Sequence, residues 1–301
     1  MTTTGTNADA RRRRAVWVML AAVALFALMD AGLKTLSERY PPFQVATLRG
    51  FASLPLVLAW TLATIGWKPL LRVRWPLHLL RGAIGVMMMA TFVYALKRMP
   101  LSTAYTIFFV APLLITALSV PFLGERVGPR RWAAIAVGLL GVLVVLRPTG
   151  EGMLSLAGLA VLVAAFGYAV SAITVRVLAR SDSNQAMVVW LLVLMALGSG
   201  VLAWPAWTPV RHDDGWLVAG IGVVGAFGQY AITHAFRLGE ASLLAPLEYT
   251  ALVYGVLLDA LVWGALPDAA TWLGAAIIVA SGLYLIRREK ANAEPEAVLP
   301  P

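Results

Sequence analysis

Cysteine is missing from this sequence, and histidine occurs only three times in 301 residues. The first absence excludes disulfides and thiolate metal sites. The second leaves little for imidazole metal chemistry. Charge is sparse as well, at 13% of residues, where soluble domains carry about 25%. Phosphate-cradling GxxxxGK[ST], zinc-protease HExxH and nucleophile-elbow GxSxG patterns do not occur. These absences argue against an ATP-driven machine or a membrane-embedded hydrolase. The net charge of +9 comes from basic residues scattered through loops, not gathered on one face, so nucleic acid is not an expected partner.

Apolar residues make up 60% of the chain and the mean hydropathy is +0.80. A soluble protein of this length could not bury so much apolar side chain, whereas a bilayer can accommodate it. A membrane helix needs about twenty mostly apolar residues. That window predicts ten spans, at 15–36, 43–66, 77–97, 102–122, 131–147, 154–178, 185–207, 216–237, 242–264 and 269–286. Pro41-Pro42, Pro76, Pro100, Pro148 and Pro267 punctuate them. The fifth span is short and needs Arg131 and Arg147 to reach the interfaces. Arg11–Arg14 precede an apolar run with no small-residue cleavage site, which reads as an uncleaved first helix, not a signal peptide. With the N-terminus in the cytoplasm, seventeen Lys and Arg fall on the cytoplasmic side and six outside, with Arg49 inside the second span. This positive-inside bias puts both termini in the cytoplasm. The expected location is a bacterial inner membrane.

A shift of 140 residues partly overlays the chain on itself. Phe26 meets Phe166, Gln44 meets Asn184, and Gly82 and Gly85 meet Gly222 and Gly225. Tyr94-Ala95-Leu96-Lys97 meets His234-Ala235-Phe236-Arg237, Gly124 meets Gly264, Trp132 meets Trp272, and Arg147 meets Arg287. Each half then holds five spans. An odd number turns the second half upside down relative to the first. The expected fold is therefore an all-α membrane protein of ten transmembrane helices in two inverted five-helix repeats, with a binding site where the halves meet. The division is a basic N-tail at 1–14, repeats at 15–147 and 154–288, and a C-terminal tail at 289–301, with the tails expected to be solvated.

"FLGERVGPRRWAAIAVGLLGVLVVLRP" closes the first half, with Gly124-Glu125, Trp132 and a Gly138/Gly141 helix. With "APLEYTALVYG" at 245–255, it resembles the drug/metabolite transporter superfamily, EamA type, over about residues 15–288. The second half departs from that pattern at Gly264-Ala265. The resemblance implies ATP-independent transport of small polar metabolites. The expected function is a secondary transporter exporting small polar or amphipathic metabolites such as amino acids by alternating access. An uptake carrier for a nucleoside-like or cofactor-like metabolite, such as S-adenosylmethionine or riboflavin, is the alternative, and a non-transporting membrane scaffold is the competing class. The expected partners are a small-molecule substrate and the lipid bilayer, with a homodimer open. No cofactor or metal is expected, and proton coupling is left open.

Charged groups within spans are costly and point to a solute path. Asp30 and Lys34 lie one turn apart and suit a pair. Arg49 suits a solute carboxylate, ahead of Arg81, which can reach the cytoplasmic face. Glu248 has no basic neighbour in its own span and is either a solute or proton site or an interhelical anchor; Asp259 reads as an interface residue. Gln229 and Thr233 form one stripe of the eighth span, with Tyr230 and His234 on the next. His234 and Glu248 fall at similar depth. Tyr94, Tyr105, Phe108 and Phe109 supply an aromatic first-half wall, and Pro112 suits a kink beside it. Gly82, Gly85, Gly222, Gly225 and Gly228 suit close helix packing. Glu125, beside Arg126, Arg130 and Arg131, reads as a loop staple or a gating ion pair.

Overall fold

A computed structural model describes residues 3–124, 128–146, 155–238 and 244–293; Glu125 and Arg126 and the side chain of Arg131 lie outside the described residues. Among the described residues the chain is helical and contains no strand. In order the helices are α1 (Thr3–Ser37), α2 (Pro42–Ile65), the short α3 (Lys68–Leu71), α4 (Trp75–Leu96), α5 (Leu101–Phe108), α6 (Ala111–Leu123), α7 (Pro129–Leu146), α8 (Leu156–Leu178), α9 (Asn184–Ala203), α10 (Gly215–Leu238), α11 (Thr250–Trp263) and α12 (Ala269–Ala293). A 3-10 turn at Ala245–Tyr249 leads into α11. Among the described residues, seven segments are long and apolar enough to cross a membrane, α5 and α6 counting as one. Trp132–Leu146 and Ala269–Tyr284 are apolar but shorter.

Local chemistry sets the boundaries. Pro42 opens α2 at a position where its missing N–H costs nothing. The Ser155 hydroxyl caps α8 by accepting from Gly158 N–H at 3.1 Å, and Ser183 caps α9 through Ala186 N–H at 3.2 Å. Asp268 caps α12 through Thr271 N–H at 2.8 Å. Gly124 and Gly264 close α6 and α11 in the left-handed conformation, at φ 70° and 63°. α1 begins at Thr3 and α12 runs to Ala293, because Ala- and Arg-rich flanks sustain helix beyond the apolar stretch, and Ala10, Arg11, Arg13 and Arg14 are exposed.

The outer surface is apolar: Val201, Leu261, Leu140 and Phe227 are exposed. Such a surface requires lipid, and the chain is an integral membrane protein. Inside, α1 packs on α10 as α8 packs on α4, and α2 packs on α10 as α9 packs on α4. α2 with α9, and α7 with α12, are pairs that the 140-residue shift maps onto themselves. Glycines set these approaches. Gly222 sits against the Ala52 backbone, and Gly82 sits against Leu194.

The two ends of α2 carry different connections. At its start, Gln44 holds Thr208 through Nε2 to the backbone O at 2.6 Å, while Thr208 N–H donates back at 3.0 Å. Nearby, the Tyr40 hydroxyl and the Arg39 guanidinium both donate to Asp214. Beyond its other end, Trp190 Nε1 donates to Leu70 O at 2.8 Å. There Asp182 accepts from Arg74 N–H at 3.0 Å and from His78 Nε2 at 2.9 Å. Burial alone would raise the Asp182 carboxyl, but bonds from Ser181, Arg74 N–H and His78 hold it below the ordinary carboxylate range. A carboxyl depressed on folding stabilises fully above its unfolded value, about 3.9, and that contribution is lost as pH falls through the lower folded value. Asp182→Asn is therefore expected to cost about 1–2 kcal/mol at neutral pH. Thermal unfolding of the two proteins across pH checks this: the gap between them should close in acid.

Candidate functional site

A cavity of about 470 Å³ opens between α1, α2, α4, α5, α8, α9 and α10, with Glu248 on its wall. Both non-helical breaks of the bundle's middle border it. The chain leaves α5 at Phe109, where Val110 N–H turns back to Ile107 O at 3.2 Å, and re-enters helix one residue before Pro112. In the second half, the 3-10 turn carrying Glu248 occupies the related position. A kink was expected at Pro112; the helix instead breaks fully just ahead of it. Irregular backbone at membrane depth is tolerated where it lines a cavity.

Asp30, Arg49, Tyr105, Phe108, Gln229 and Glu248 all line this space. The Tyr105 hydroxyl donates to Asp30 Oδ2 at 2.8 Å. Arg49 lies within electrostatic reach of Asp30. Its other contacts are thioethers, with Met29 Sδ 3.5 Å from Nε and Met195 Sδ 3.8 Å from Nη1. Thioether sulfur is a weak acceptor, so the guanidinium keeps donors for a solute. Arg81 also lines the cavity, but it donates to Met187 O at 3.1 Å and to Ser171 Oγ at 3.4 Å. Glu248 lies near the phenols of Tyr168 and Tyr249, and among the described residues no cation pairs with it.

Aromatic rings form the walls. Phe108 meets Phe92 at 5.7 Å and Tyr168 at 5.4 Å between centroids, and Phe109 meets Tyr249 at 5.0 Å. Such edge-on and tilted contacts hold rings in fixed planes. Sequence reasoning did not single out Tyr168, Phe92, Ser53 or the methionines of α1, α4 and α9. The repeat offers no signal there, since Tyr168 overlays Leu28, and an apolar residue facing a cavity reads like one facing lipid.

Tyr94, Tyr230, Thr233 and His234 are not on the cavity wall. Tyr94 is on the far side of α4 from Phe92, with the Arg98 guanidinium 3.6 Å over its ring. Tyr230 is half exposed, edge-on to Trp60, and stacks on His234 at 5.8 Å. The Thr233 hydroxyl donates to Gln229 O at 2.8 Å within α10. One residue is about 100° of helix, so Tyr230 and His234 turn away from the stripe that carries Gly225 and Gln229. The His234 ring thus goes to Tyr230, not to Glu248. Asp30 and Lys34 also part company: Asp30 takes Tyr105, and Lys34 reaches the end of α4.

The family model for the EamA-like transporter family matches residues 13–147 and 155–288, one match to each half. A riboflavin transporter of Vibrio cholerae is 32% identical over 94% of this chain and 95% of its own length. A pseudopaline exporter of Pseudomonas aeruginosa is 27% identical over 91% of this chain and 96% of that protein. A solved crystal structure aligns with a TM-score of 0.61 at 26% identity, covering 92% of this chain and 98% of that one.

Proposed function

The chain belongs to the EamA-like transporter family, and on that premise we propose a secondary transporter for flat, ring-bearing metabolites of the riboflavin kind. It works by alternating access of two inverted five-helix repeats, ten spans in all, in a bacterial inner membrane with both termini cytoplasmic. Inversion is supported by the connections at 66–74 and 204–214. They are related by the repeat and are bound at opposite ends of α2. The fourth span is α5 with α6, and the ninth is the Ala245–Tyr249 turn with α11.

The observation that carries the reading is the cavity itself, where an aromatic wall and an acid–base pair face one space at membrane depth. Ligand cavities of about 300–1,000 Å³ suit solutes of this size. Phe92, Phe108 and Tyr168 give a flat ring an aromatic wall to pack against. The Asp30 carboxylate accepts and the Arg49 guanidinium donates, which complements the alternating acceptors and donor of an imide edge. Glu248 carries the coupling proton. Similarity to a riboflavin transporter supports the same solute class. Amino-acid export is the second reading, favoured by the opposite charges of Asp30 and Arg49, which equally complement a zwitterionic headgroup.

The test is flux into and out of liposomes holding the purified protein, followed by riboflavin fluorescence and by labelled amino acids. Saturable riboflavin flux, blocked by flavin analogues with an intact imide, is expected. Saturable amino-acid flux without riboflavin flux would assign the cavity to the second reading, and loss of both would end the transport assignment.

A further inference from the structure

The cavity is lopsided. Along α4 its wall runs from Arg81 to Phe92 and stops before the C-terminal end of the helix. Beyond that end the bundle is shut. Leu33, Leu36, Leu96 and Leu101 are fully buried there, and two buried charges bind them together. Lys34 Nζ donates to Leu96 O at 2.8 Å and Met99 O at 2.5 Å, and stands 5.1 Å over the Trp263 ring. Leu96 is the last residue of α4 and Met99 lies in the turn after it, where the helix supplies no N–H for these carbonyls. Asp259, with no exposed surface, accepts from Leu101 N–H at 2.8 Å, Ser102 N–H at 2.7 Å and Ser102 Oγ at 2.6 Å. One side chain of each repeat thus clamps the α4–α5 corner, directly above Tyr105.

The repeat does not duplicate these two charges. A shift of 140 residues carries Lys34 to Thr174 and Asp259 to Ser119. Neither can carry charge, and among the described residues each bonds within its own helix, Thr174 to Val170 O and Ser119 to Thr116 O. At the related inner corner a different group is used, the Arg11 guanidinium donating to Leu238 O at 3.1 Å. We infer that Lys34 and Asp259 are the seal of the external gate, holding the α4–α5 corner shut over the cavity. The inference rests on the transport reading for its meaning. Its readout needs no solute, so a failed flux assay and a failed seal are separate results.

The cysteine-free chain supplies the experiment. Ser37 is buried and shares the Asp30–Leu33–Lys34 stripe of α1, two turns above the cavity. In Ser37→Cys it is the sole thiol, and a membrane-impermeant maleimide applied to intact cells and to inverted vesicles should not label it. Adding Asp259→Asn or Lys34→Met should raise the labelling rate at least tenfold from one face, whereas Lys34→Arg, which keeps the donors, should leave it low. Asp259→Asn is isosteric, and Ser102→Ala offers a milder cut if either variant is poorly folded. A reactive Ser37→Cys parent, or no increase in any folded variant of the clamp, would overturn the assignment; so would labelling of Lys34→Arg as fast as Lys34→Met.

Discussion

Arg49→Met lowers the initial rate of transport about 10- to 100-fold, the loss expected when one charge-assisted contact to the solute is removed. The reason lies in how the two cavity arginines are held. Arg81 donates to Met187 O and Ser171 Oγ, so it is tied to the wall. Arg49 faces the same space with two thioethers and, among the described residues, no oxygen partner within hydrogen-bonding distance. Burying a guanidinium with so little hydrogen bonding costs stability, which its removal recovers, while loss of the nearby cation leaves Asp30 less compensated. The two effects oppose each other, so the variant should unfold close to the temperature of the parent, with transport lost. A structural arginine would behave oppositely, losing thermal stability and transport together. Arg49→Lys sharpens the test. It keeps the charge and loses the planar fork, so it should bind solute weakly while leaving the maximal rate near that of the parent. Solute titrations of flux, with thermal unfolding of the same preparations, decide between the two.

This residue also marks how far the sequence could be read. An arginine in the middle of an apolar span is conspicuous in one dimension, because few other reasons exist for placing it there. Asp30 and Glu248 were legible on the same ground. The stripes of the eighth span were not, because periodicity assigns faces without saying which one is turned inward. Gln229 and Tyr230 are adjacent, and only packing against α1 and α2 places one on the cavity and the other beside Trp60. Lys34 shows a different limit. Its nearest acid in sequence is Asp30, one turn away, yet it bonds carbonyls at the end of α4. Helix ends offer acceptors that no side-chain pattern records. Asp259 looked like an interface residue because it lies near the end of its span. The buried N-terminus of α5 gives it two N–H groups and a hydroxyl instead. The duplication was the most informative sequence feature for the fold, since it fixed which helices correspond. It was least informative for the site, where the halves differ: Glu248 overlays Phe108, and both line the cavity.

That difference sets the second large effect, at Glu248. Glutamine in its place keeps the size and the hydrogen-bonding capacity of the side chain and removes only its ability to take up and release a proton. Of the other charged groups on the cavity, Asp30 and Arg81 are already engaged. Asp30 accepts from Tyr105 and faces Arg49, and Arg81 is tied to the wall. Glu248 has phenols for neighbours, Tyr168 and Tyr249, and these do not neutralise a carboxylate. A lone carboxyl at membrane depth can take up a proton from one side and release it to the other as the cavity alternates, which couples a proton gradient to transport. In liposomes with an imposed pH difference, the parent should move solute several-fold faster than without one. Glu248→Gln should show no acceleration at all, and its flux without a gradient should stay constant from mildly acidic to mildly alkaline pH. An interhelical anchor would be served equally well by the amide. If Glu248→Gln keeps both the parental rate and its response to the gradient, the coupling proton travels elsewhere. Asp30 is then the carboxyl left facing the solute, and Asp30→Asn becomes the variant that must lose the response.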